Sequence, residues 1–559
     1  MLGLDSYFSD KNIIDLLSKI RSKEAQKRHD IQFYRNISKN APNPNTLRSY
    51  VSTMLPPRRE WYRPNLSERL NKSALEINTL AIKKTVEYQT KLHIADKKSW
   101  YKELMRFCDD VKKTILQNQN YQICKPRVIP VEKNKKEKSY RPIAVYDLKD
   151  RIIIGITAKY LRDTFDNDFQ DNSYAFRAKS KNTKTTKTYH SAILDLIKYK
   201  KNYDDRDLFV SECDIQKFYD IVNHKIAINS FNKAIKKANL RGIYVDSRAI
   251  VVFQKYLESY TFNKTATIQC KKWFKNHGVV GNLNWPIEHL KKIYNDLEHE
   301  SLGVPQGGAL SPLTANLVLD QVDNAVLYKN GNKDMDLFYA RYCDDMIIIH
   351  PIKKECENTF KRYLLGLKKL KLIAHTPMQI GFYSKKFYEI KSKKAYIWSN
   401  NKKNRNTSPW ISFLGYQIRK DSKIRIRKNT IAKELKKQVK IADKIVRVIK
   451  NRIFISKKSK RQILFRLENK YISMSVGRIN LGLKTNQNQK FCWCSGFKVL
   501  QGRDIIDSQL KQLDRNREKQ LSRVKRKLLK HKIKSNKPKS NLNVPKYYGK
   551  PFSYYGQFK

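Results

Sequence analysis

The spacing of apolar residues changes twice along the chain. Residues 66–107, LSERLNKSALEINTLAIKKTVEYQTKLHIADKKSWYKELMRF, place apolar side chains three or four positions apart, which predicts amphipathic helices. Prolines in APNPNT (41–46) and MLPPRREWYRPN (54–65) interrupt this pattern. Beyond about residue 430 acidic residues nearly vanish, and the apolar spacing predicts basic helices.

Between these regions the pattern is typical of short strands joined by polar turns. RVIPVEKNKKEKSYRPIAVYD (127–147) has two apolar runs around a lysine-rich turn and predicts a hairpin with a basic tip. LFVSECDIQKFYDIVN (208–223) predicts a strand that runs into a helix. YARYCDDMIII (339–349) places Asp344 and Asp345 between two strand-like runs, where a hairpin would turn.

The charge of the chain restricts its partners. Its 559 residues include 116 Lys and Arg but only 51 Asp and Glu, which gives a formal net charge of +65. An excess of this size predicts a polyanionic partner, because neutralising phosphates releases condensed counterions. The sequence has neither an apolar run long enough to span a bilayer nor an apolar signal core after MLGLDSYFSD, so we expect a cytoplasmic protein without a membrane partner.

Most of the eight cysteines are scattered singly, as reduced thiols in an intracellular protein would be. Cys492 and Cys494 in FCWC are the exception. Their spacing does not fit a zinc knuckle, so we interpret them as buried thiols. The tail after residue 534, SNKPKSNLNVPKYYGKPFSYYGQFK, lacks periodicity and is expected to be extended or ordered by a partner.

Asp344 and Asp345 would repel each other unless a cation lay between them. Hard oxygen ligands favour Mg²⁺, and a two-metal phosphoryl-transfer site needs a further carboxylate on a neighbouring strand. Asp214 follows the predicted strand LFVSEC and fits that need, with the backbone carbonyl of Ile215 as an added ligand. The alternative is a solvated turn. The glycine-rich segment GVPQGGALSP (303–312) before an apolar run favours the metal-site interpretation.

Six segments, in this order, resemble the sequence blocks of bacterial reverse transcriptases, the group that includes group II intron proteins, retrons and phage-defence enzymes. They are RVIPVEKNKKEKSYRPIAVYDLKDRI, SYAFRAKS, CDIQKFYD, GVPQGGALSP, YCDD and FLGYQI. The resemblance covers roughly residues 120–420. It implies an α+β right-hand polymerase, with fingers and palm built from an antiparallel sheet plus helices, and a helical basic thumb.

The resemblance also implies a domain order. We expect an N-terminal basic helical extension (1–115), fingers and palm (116–420) with an insertion at about 238–295, a thumb (421–500), and a C-terminal helix with an aromatic tail (501–559). The insertion is aromatic and basic, so we expect it to clamp nucleic acid, to form a subunit interface or simply to add packing.

By resemblance, Asp214, Asp344 and Asp345 are catalytic carboxylates that hold two Mg²⁺ ions, or Mn²⁺ as a substitute, with Ile215 as a carbonyl ligand. Arg141 is expected to contact the nucleotide triphosphate together with one lysine of the hairpin tip. The tip offers four lysines, of which Lys138 is the candidate; the others are Lys133, Lys135 and Lys136.

Other candidates line the nucleotide and the nucleic acid. Tyr219 corresponds to an aromatic steric gate that favours dNTPs over NTPs; the alternative is a core aromatic. Gln306 is expected in the nucleotide pocket. Arg177 is expected to contact template, with a structural salt bridge as the alternative. Leu414, Gly415 and Tyr416 are expected to hold the primer end.

The predicted function is therefore RNA-directed DNA synthesis from dNTPs, copying a bound non-coding RNA in antiphage defence. The expected partners are that RNA, the DNA product, dNTP, and either a second copy of the chain or a partner protein. The alternatives are an intron-type maturase or splicing cofactor, template-independent synthesis, and synthesis primed by a tail tyrosine. The tail carries Tyr547, Tyr548, Tyr554 and Tyr555.

Overall fold

The computed structural model describes residues 3–35, 49–69, 72, 74–117, 121–178, 186–379, 385–400, 407–450, 457–475 and 504–530. The FCWC cysteines and the tail tyrosines lie outside these residues. Helices and strands are mixed along the described chain, and the predicted α+β class is confirmed. None of its described helices is both long enough and apolar enough to cross a membrane.

The helices are α1 (Leu4–Tyr7), α2 (Asp10–Arg35), α3 (Leu66–Arg69), α4 (Ala74–Thr90), α5 (Ser99–Gln117), α6 (Leu148–Phe165), α7 (Tyr189–Lys201), α8 (Phe218–Ile221), α9 (His224–Leu240), α10 (Ser247–Glu258), α11 (Thr267–Asn276), α12 (Ile287–Lys291), α13 (Ser311–Leu327), α14 (Lys353–Lys369), α15 (Lys385–Glu389), α16 (Lys428–Lys450), α17 (Lys457–Ser475) and α18 (Asp504–Leu529). The strands are β1 (Arg127–Asn134), β2 (Ser139–Val145), β3 (Leu208–Asp214), β4 (Tyr328–Lys329), β5 (Asn332–Lys333), β6 (Phe338–Tyr342), β7 (Asp345–His350), β8 (Lys393–Trp398), β9 (Thr407–Ser408), β10 (Trp410–Phe413), β11 (Tyr416–Arg419) and β12 (Ile424–Ile426).

The chain divides into two compact units. The first contains residues 1–13, 109–414 and 419–422, and the second contains residues 14–108, 415–418 and 423–559. The predicted four-part domain order stays a prediction.

A five-stranded sheet forms the centre of the first unit, in the order β6-β7-β3-β8-β9. Its pairings are antiparallel except between β8 and β9. Strands β3 and β7 lie inside the sheet, and the isoleucines of β7 are fully buried. A strand covered on both faces is apolar throughout, which explains why DMIIIH does not alternate.

Both hairpins predicted from the sequence are confirmed. Strands β1 and β2 pair antiparallel from the Arg127–Val145 pair to the Asn134–Ser139 pair, with a bulge near the tip. Strands β6 and β7 pair around a two-residue turn, Cys343–Asp344. The predicted insertion contributes α10, α11 and α12 to the first unit.

In the second unit, α16, α17 and α18 share an apolar core. Ile445, Leu467, Tyr471, Val524 and Leu528 are all buried in it. These helices confirm the amphipathic basic helices expected after residue 430, because their apolar faces pack together.

A buried ion pair anchors the β6–β7 hairpin to α13. Arg341 on β6 donates two hydrogen bonds to Asp323 on α13, Nε to Oδ1 at 2.7 Å and Nη2 to Oδ2 at 2.6 Å. Tyr339 donates a third at 2.7 Å. The same guanidinium donates to the Cys343 carbonyl at 3.1 Å and to Ser173 Oγ at 2.9 Å. Arg341 therefore fixes the turn that carries Asp344.

We expect Arg341→Met to lower the free energy of unfolding by about 3–5 kcal/mol, because Asp323 keeps a buried charge without its partner. The double variant Arg341→Met/Asp323→Leu should recover part of this loss. Urea unfolding of the full chain measures both. Lys353→Met is the control, since Lys353 and its partner Glu357 are both exposed and the variant should cost less than about 1 kcal/mol. Equal losses in the two single variants would contradict the anchoring role.

Candidate active site

Three aspartates from distant parts of the sequence meet at one end of the central sheet. Asp214 ends β3 and Asp345 begins β7, and the antiparallel register places them directly opposite each other. Directly opposed residues on neighbouring strands project from the same face of a sheet. Asp344 precedes Asp345 in the turn, where Cys343 has a left-handed φ of 61°.

The electrostatics of this cluster favour a cation. Burial first, and then the negative charge of Asp214, raise the pKa of Asp344 above its ordinary value. An ionised Asp344 is therefore costly unless positive charge is supplied nearby.

Part of that positive charge comes from Lys391, whose Nζ lies 2.6 Å from Oδ2 of Asp214. His375 lies beside it, with Nε2 3.6 Å from the same oxygen and 3.1 Å from Lys391 Nζ. Burial and the charge of Lys391 lower the pKa of His375, so its neutral ring can accept from the ammonium. Neither residue was predicted from the sequence, because their positions depend on β8 lying beside β3 and on the loop at 373–375.

The candidate metal ligands of the site are carboxylate oxygens. Within the part of the chain that the structure describes, no three His, Cys, Asp or Glu side chains gather closely enough to hold a metal. Mg²⁺ needs only one or two carboxylates when water and phosphate complete its shell, and the electrostatically coupled Asp214 and Asp344 provide two. The residues therefore fit a Mg²⁺ ion bound together with substrate. The metal roles of Asp214, Ile215, Asp344 and Asp345 all stay predictions.

Tyr219 lies against the aspartate turn. Its hydroxyl is 3.3 Å from Cys343 Sγ, and burial raises its pKa. Its carbonyl accepts from the Val304 N–H at 2.7 Å, which ties α8 to the glycine-rich loop. The position is compatible with a gate beside the aspartates, and that role stays a prediction.

Gln306 is held at both its backbone and its side chain. Its carbonyl accepts from the Ala144 N–H at 2.9 Å, and its Nε2 donates to Asp220 Oδ1 at 2.6 Å. The next two positions, 307 and 308, each require glycine, but for different structural reasons. Gly307 has a φ of 96°, whereas a Cβ on Gly308 would lie 1.8 Å from the Tyr256 hydroxyl. Close packing on Tyr256, rather than approach of a ligand, thus requires Gly308.

Four cations interact electrostatically with one another near Asp214 and Asp220 and form the cation cluster: Lys133, Arg141, Lys217 and Lys391. Burial, then Arg141 and Lys391, lower the pKa of Lys133. Burial also lowers the pKa of Lys217, with smaller contributions from the other three cations. Asp220 and Asp214 offset part of this mutual repulsion. The predicted Lys138 sits in the hairpin turn with a φ of 49°, and its carbonyl accepts from the Asn282 N–H at 2.9 Å.

Arg177 forms the structural salt bridge that was the alternative to a contact with template. All five of its N–H groups donate within the protein: Nε to Asp166 Oδ1 at 2.9 Å, Nη1 to the carbonyls of Gln170 and Ser173, and Nη2 to those of Asp166 and Phe169. The side chain is also buried. With no donor left for template, the geometry favours the structural alternative.

The predicted primer-contacting residues form a turn. Leu414 and Gly415 have φ values of 47° and 87°, and two successive left-handed residues are typical of a tight hairpin turn. Gly415 accepts from the Arg427 N–H at 2.9 Å. Tyr416 is buried at the start of β11. Their contact with a primer stays a prediction.

Residues 132–418, more than half of the chain, match the family model described as reverse transcriptase (RNA-dependent DNA polymerase). The chain belongs to this family.

Two curated proteins are similar over a smaller part. The group II intron-encoded protein LtrA of Lactococcus lactis subsp. cremoris is 26% identical over 238 residues, which cover 42% of this chain and 30% of LtrA. Protein YkfC of Escherichia coli K12 is 21% identical over 267 residues, which cover 42% of this chain and 57% of YkfC. The chain therefore spans less than two thirds of either relative.

Among solved structures, apo telomerase from Candida tropicalis aligns with a TM-score of 0.37 and 13% identity, over 94% of this chain and 79% of that one. Telomerase from Candida albicans with a fragment of telomeric RNA aligns with a TM-score of 0.30 and 12% identity, over 81% and 69%.

The buried Asp220 generates a pH-dependent prediction. Burial raises its pKa from 3.8 to about 6, so between these values the folded chain holds a proton that the unfolded chain releases. Stability therefore falls as the pH rises through this window. We expect Asp220→Asn to raise the unfolding temperature at pH 7.5, with the gain disappearing near pH 4.

Thermal unfolding across pH 4–8 measures this difference. Asp246→Asn is the control of opposite sign, because the hydrogen bond from Arg248 lowers the pKa of Asp246. That variant should lose stability at neutral pH. A loss of the same size in Asp220→Asn at pH 7.5 would contradict the unfavourable burial.

Proposed function

We propose that this chain is an RNA-directed DNA polymerase that adds dNTPs to a primer end at Asp214, Asp344 and Asp345. The observation that carries the proposal is the register of β3 and β7, which sets Asp214 opposite Asp345 beside the coupled Asp344. Membership of the reverse transcriptase family supports the same chemistry.

Mg²⁺, or Mn²⁺ in its place, would be held by the aspartates, with the Ile215 carbonyl as a further ligand. When bound, it supplies activation of the primer 3′-hydroxyl and neutralisation of the triphosphate. Lys391 balances the charge of Asp214 until substrate arrives.

The cation cluster is proposed to bind the triphosphate. Four positive groups share one region, and burial and mutual repulsion lower the pKa of two of them. A polyphosphate relieves that repulsion and completes the hydrogen bonds of Arg141. Lys133 interacts with Asp214 as well as with Arg141, which favours it over Lys138 as the hairpin lysine.

RNA is proposed as the template. The net charge of +65 supports a nucleic-acid partner, and the basic amphipathic helices α16 and α18 offer lysines and arginines to phosphates. Within this function we favour a dedicated non-coding RNA copied in antiphage defence. The similarity to LtrA favours a second candidate, an intron-type maturase that assists splicing.

We expect Asp345→Asn to reduce dNTP incorporation by at least about 100-fold and to leave RNA affinity nearly unchanged, because the lost charge acts at the reacting centre. Primer extension with labelled dNTPs and filter binding of RNA measure the two effects. Asp205→Asn, at an exposed position before β3, is the matched control and should retain activity. Full synthesis by Asp345→Asn would refute the site assignment.

Lys133→Ala should raise KM for dNTP about tenfold, whereas Lys138→Ala should change it by less than about twofold, because a contact to a charged group is lost in the first variant only. Steady-state primer extension over a range of dNTP concentrations measures both. The two lysines belong to one hairpin and serve as controls for each other. A larger effect at Lys138 would restore the lysine favoured by the sequence.

Tyr219→Ala should weaken discrimination between dNTP and NTP by at least about tenfold, since removal of the ring leaves space for a 2′-hydroxyl. The ratio of kcat/KM for a dNTP and its NTP measures the effect. Tyr244→Ala, at a highly exposed tyrosine, is the control. An unchanged ratio would mean that Tyr219 is only a packing residue.

A further inference from the structure

Asp220 is a buried acid that none of the chemistry above uses. It lies on α8 next to Tyr219 and is 1% exposed. Its Oδ1 accepts the 2.6 Å hydrogen bond from Gln306. Its Oδ2 has no hydrogen-bond partner among the described residues. A buried carboxylate with a single hydrogen bond costs stability, so stability alone does not account for an acid at this position.

The insertion supplies part of the surroundings of Asp220, and Lys217, Arg141 and Lys133 of the cation cluster interact with its charge. The indole N–H of Trp285 donates to the Asp220 carbonyl at 3.1 Å. Burial and then the charge of Asp220 raise the pKa of Cys270 to about 11 and that of Tyr260 well above its ordinary value, which places both near the carboxylate. The Tyr260 hydroxyl also has no hydrogen-bond partner among the described residues.

Residues 282–285 of the insertion, which include Trp285, also contact Lys217 and the β1–β2 hairpin. The Leu283 carbonyl accepts from Lys217 Nζ at 2.6 Å. Asn282 pairs with the β1–β2 hairpin, accepting from the Tyr140 N–H at 2.8 Å. Residues that contact three parts of one site are placed to control its geometry rather than to bind a separate partner.

The hydrogen bond from Gln306 to Asp220 determines the orientation of the Gln306 side-chain amide. An ionised carboxylate only accepts hydrogen bonds, so the NH₂ group of Gln306 must face Asp220. Its carbonyl oxygen is then directed away from Asp220, as an acceptor. The backbone of Gln306 is fixed separately by Ala144, so Asp220 controls the side chain alone.

We propose that Asp220 is a positioning residue that orients Gln306 toward an incoming dNTP, and that the insertion holds Asp220 in place through Trp285. The inference deepens the proposed function and rests on it. The insertion then acts as a brace behind the nucleotide site, in place of the nucleic-acid clamp or subunit interface expected from its sequence.

The test is a double-mutant cycle of Asp220→Ala and Gln306→Ala, measured as kcat/KM for dNTP in primer extension. Each single variant should lose about tenfold, mostly through KM, because a charge-assisted hydrogen bond is removed. If Asp220 acts through Gln306, the double variant should be no more than about twofold worse than Gln306→Ala. Losses that multiply would overturn the proposal.

Trp285→Phe tests the brace. It keeps a ring against Phe262, whose centroid is 5.1 Å away, but removes the N–H that Asp220 accepts. We expect about a threefold loss of kcat/KM in the wild-type background and none in Gln306→Ala. Trp273→Phe, elsewhere in the insertion, is the matched control. Equal losses of kcat/KM in Trp285→Phe and Trp273→Phe would show that the insertion does not hold Asp220 in place, and would overturn that part of the proposal.

If Asp220→Ala fails to fold, two variants with side chains of nearly unchanged size test the same hydrogen bond. Gln306→Glu sets two carboxylates against each other and should lose more than about tenfold, and adding Asp220→Asn supplies an N–H donor that should recover at least about threefold. No recovery would overturn the proposal.

A wild-type chain that incorporates no dNTP on an added RNA template and primer would refute the proposed function and this inference together. An active wild type with multiplicative losses refutes only the inference.

Discussion

The geometry of the aspartate cluster depends on the buried pair between Arg341 and Asp323. Arg341 is fully buried, so its charge can be tolerated only because a bidentate carboxylate and three further acceptors surround it. One of these acceptors is the carbonyl of Cys343, inside the turn. The hairpin that carries Asp344 and Asp345 is thereby fixed to α13 by a directional bond as well as by apolar packing.

The same balance of charge recurs along β3. Glu212, two residues before Asp214, is buried and accepts from Lys393 Nζ at 2.5 Å and from the Tyr396 hydroxyl at 2.5 Å. Asp214 at the strand end is matched by Lys391. In a chain with a net charge of +65, Glu212 and Asp214 thus each lie against a lysine, Lys393 and Lys391 respectively. Asp220 differs, since its carboxylate is bonded to a neutral amide.

The elements of this chain were predictable where local pattern decides them. The lysine-rich turn between two apolar runs specified the β1–β2 hairpin, and the Asp-Asp step between two apolar runs specified the β6–β7 turn. The sequence could not decide between the two roles expected of Arg177, because its sequence neighbours do not reveal that Asp166 and several carbonyls lie within reach of all its donors. Lys391 and His375 had no signal at all, since strand pairing brings them to Asp214.

The sequence by itself determined the two hairpins, the basic helices after residue 430 and the net charge of +65, because periodicity, turn chemistry and net charge are local or additive properties. The resemblance of its blocks to those of reverse transcriptases supplied the expected α+β class. Only the tertiary structure decided which lysine of the hairpin lies among the other cations. It also decided that the Tyr256 hydroxyl leaves no space for a side chain at Gly308, and that Trp285 of the insertion bonds to Asp220. These outcomes depend on contacts between segments tens of residues apart, and strand register and burial fix such contacts without leaving a mark in the spacing of residues.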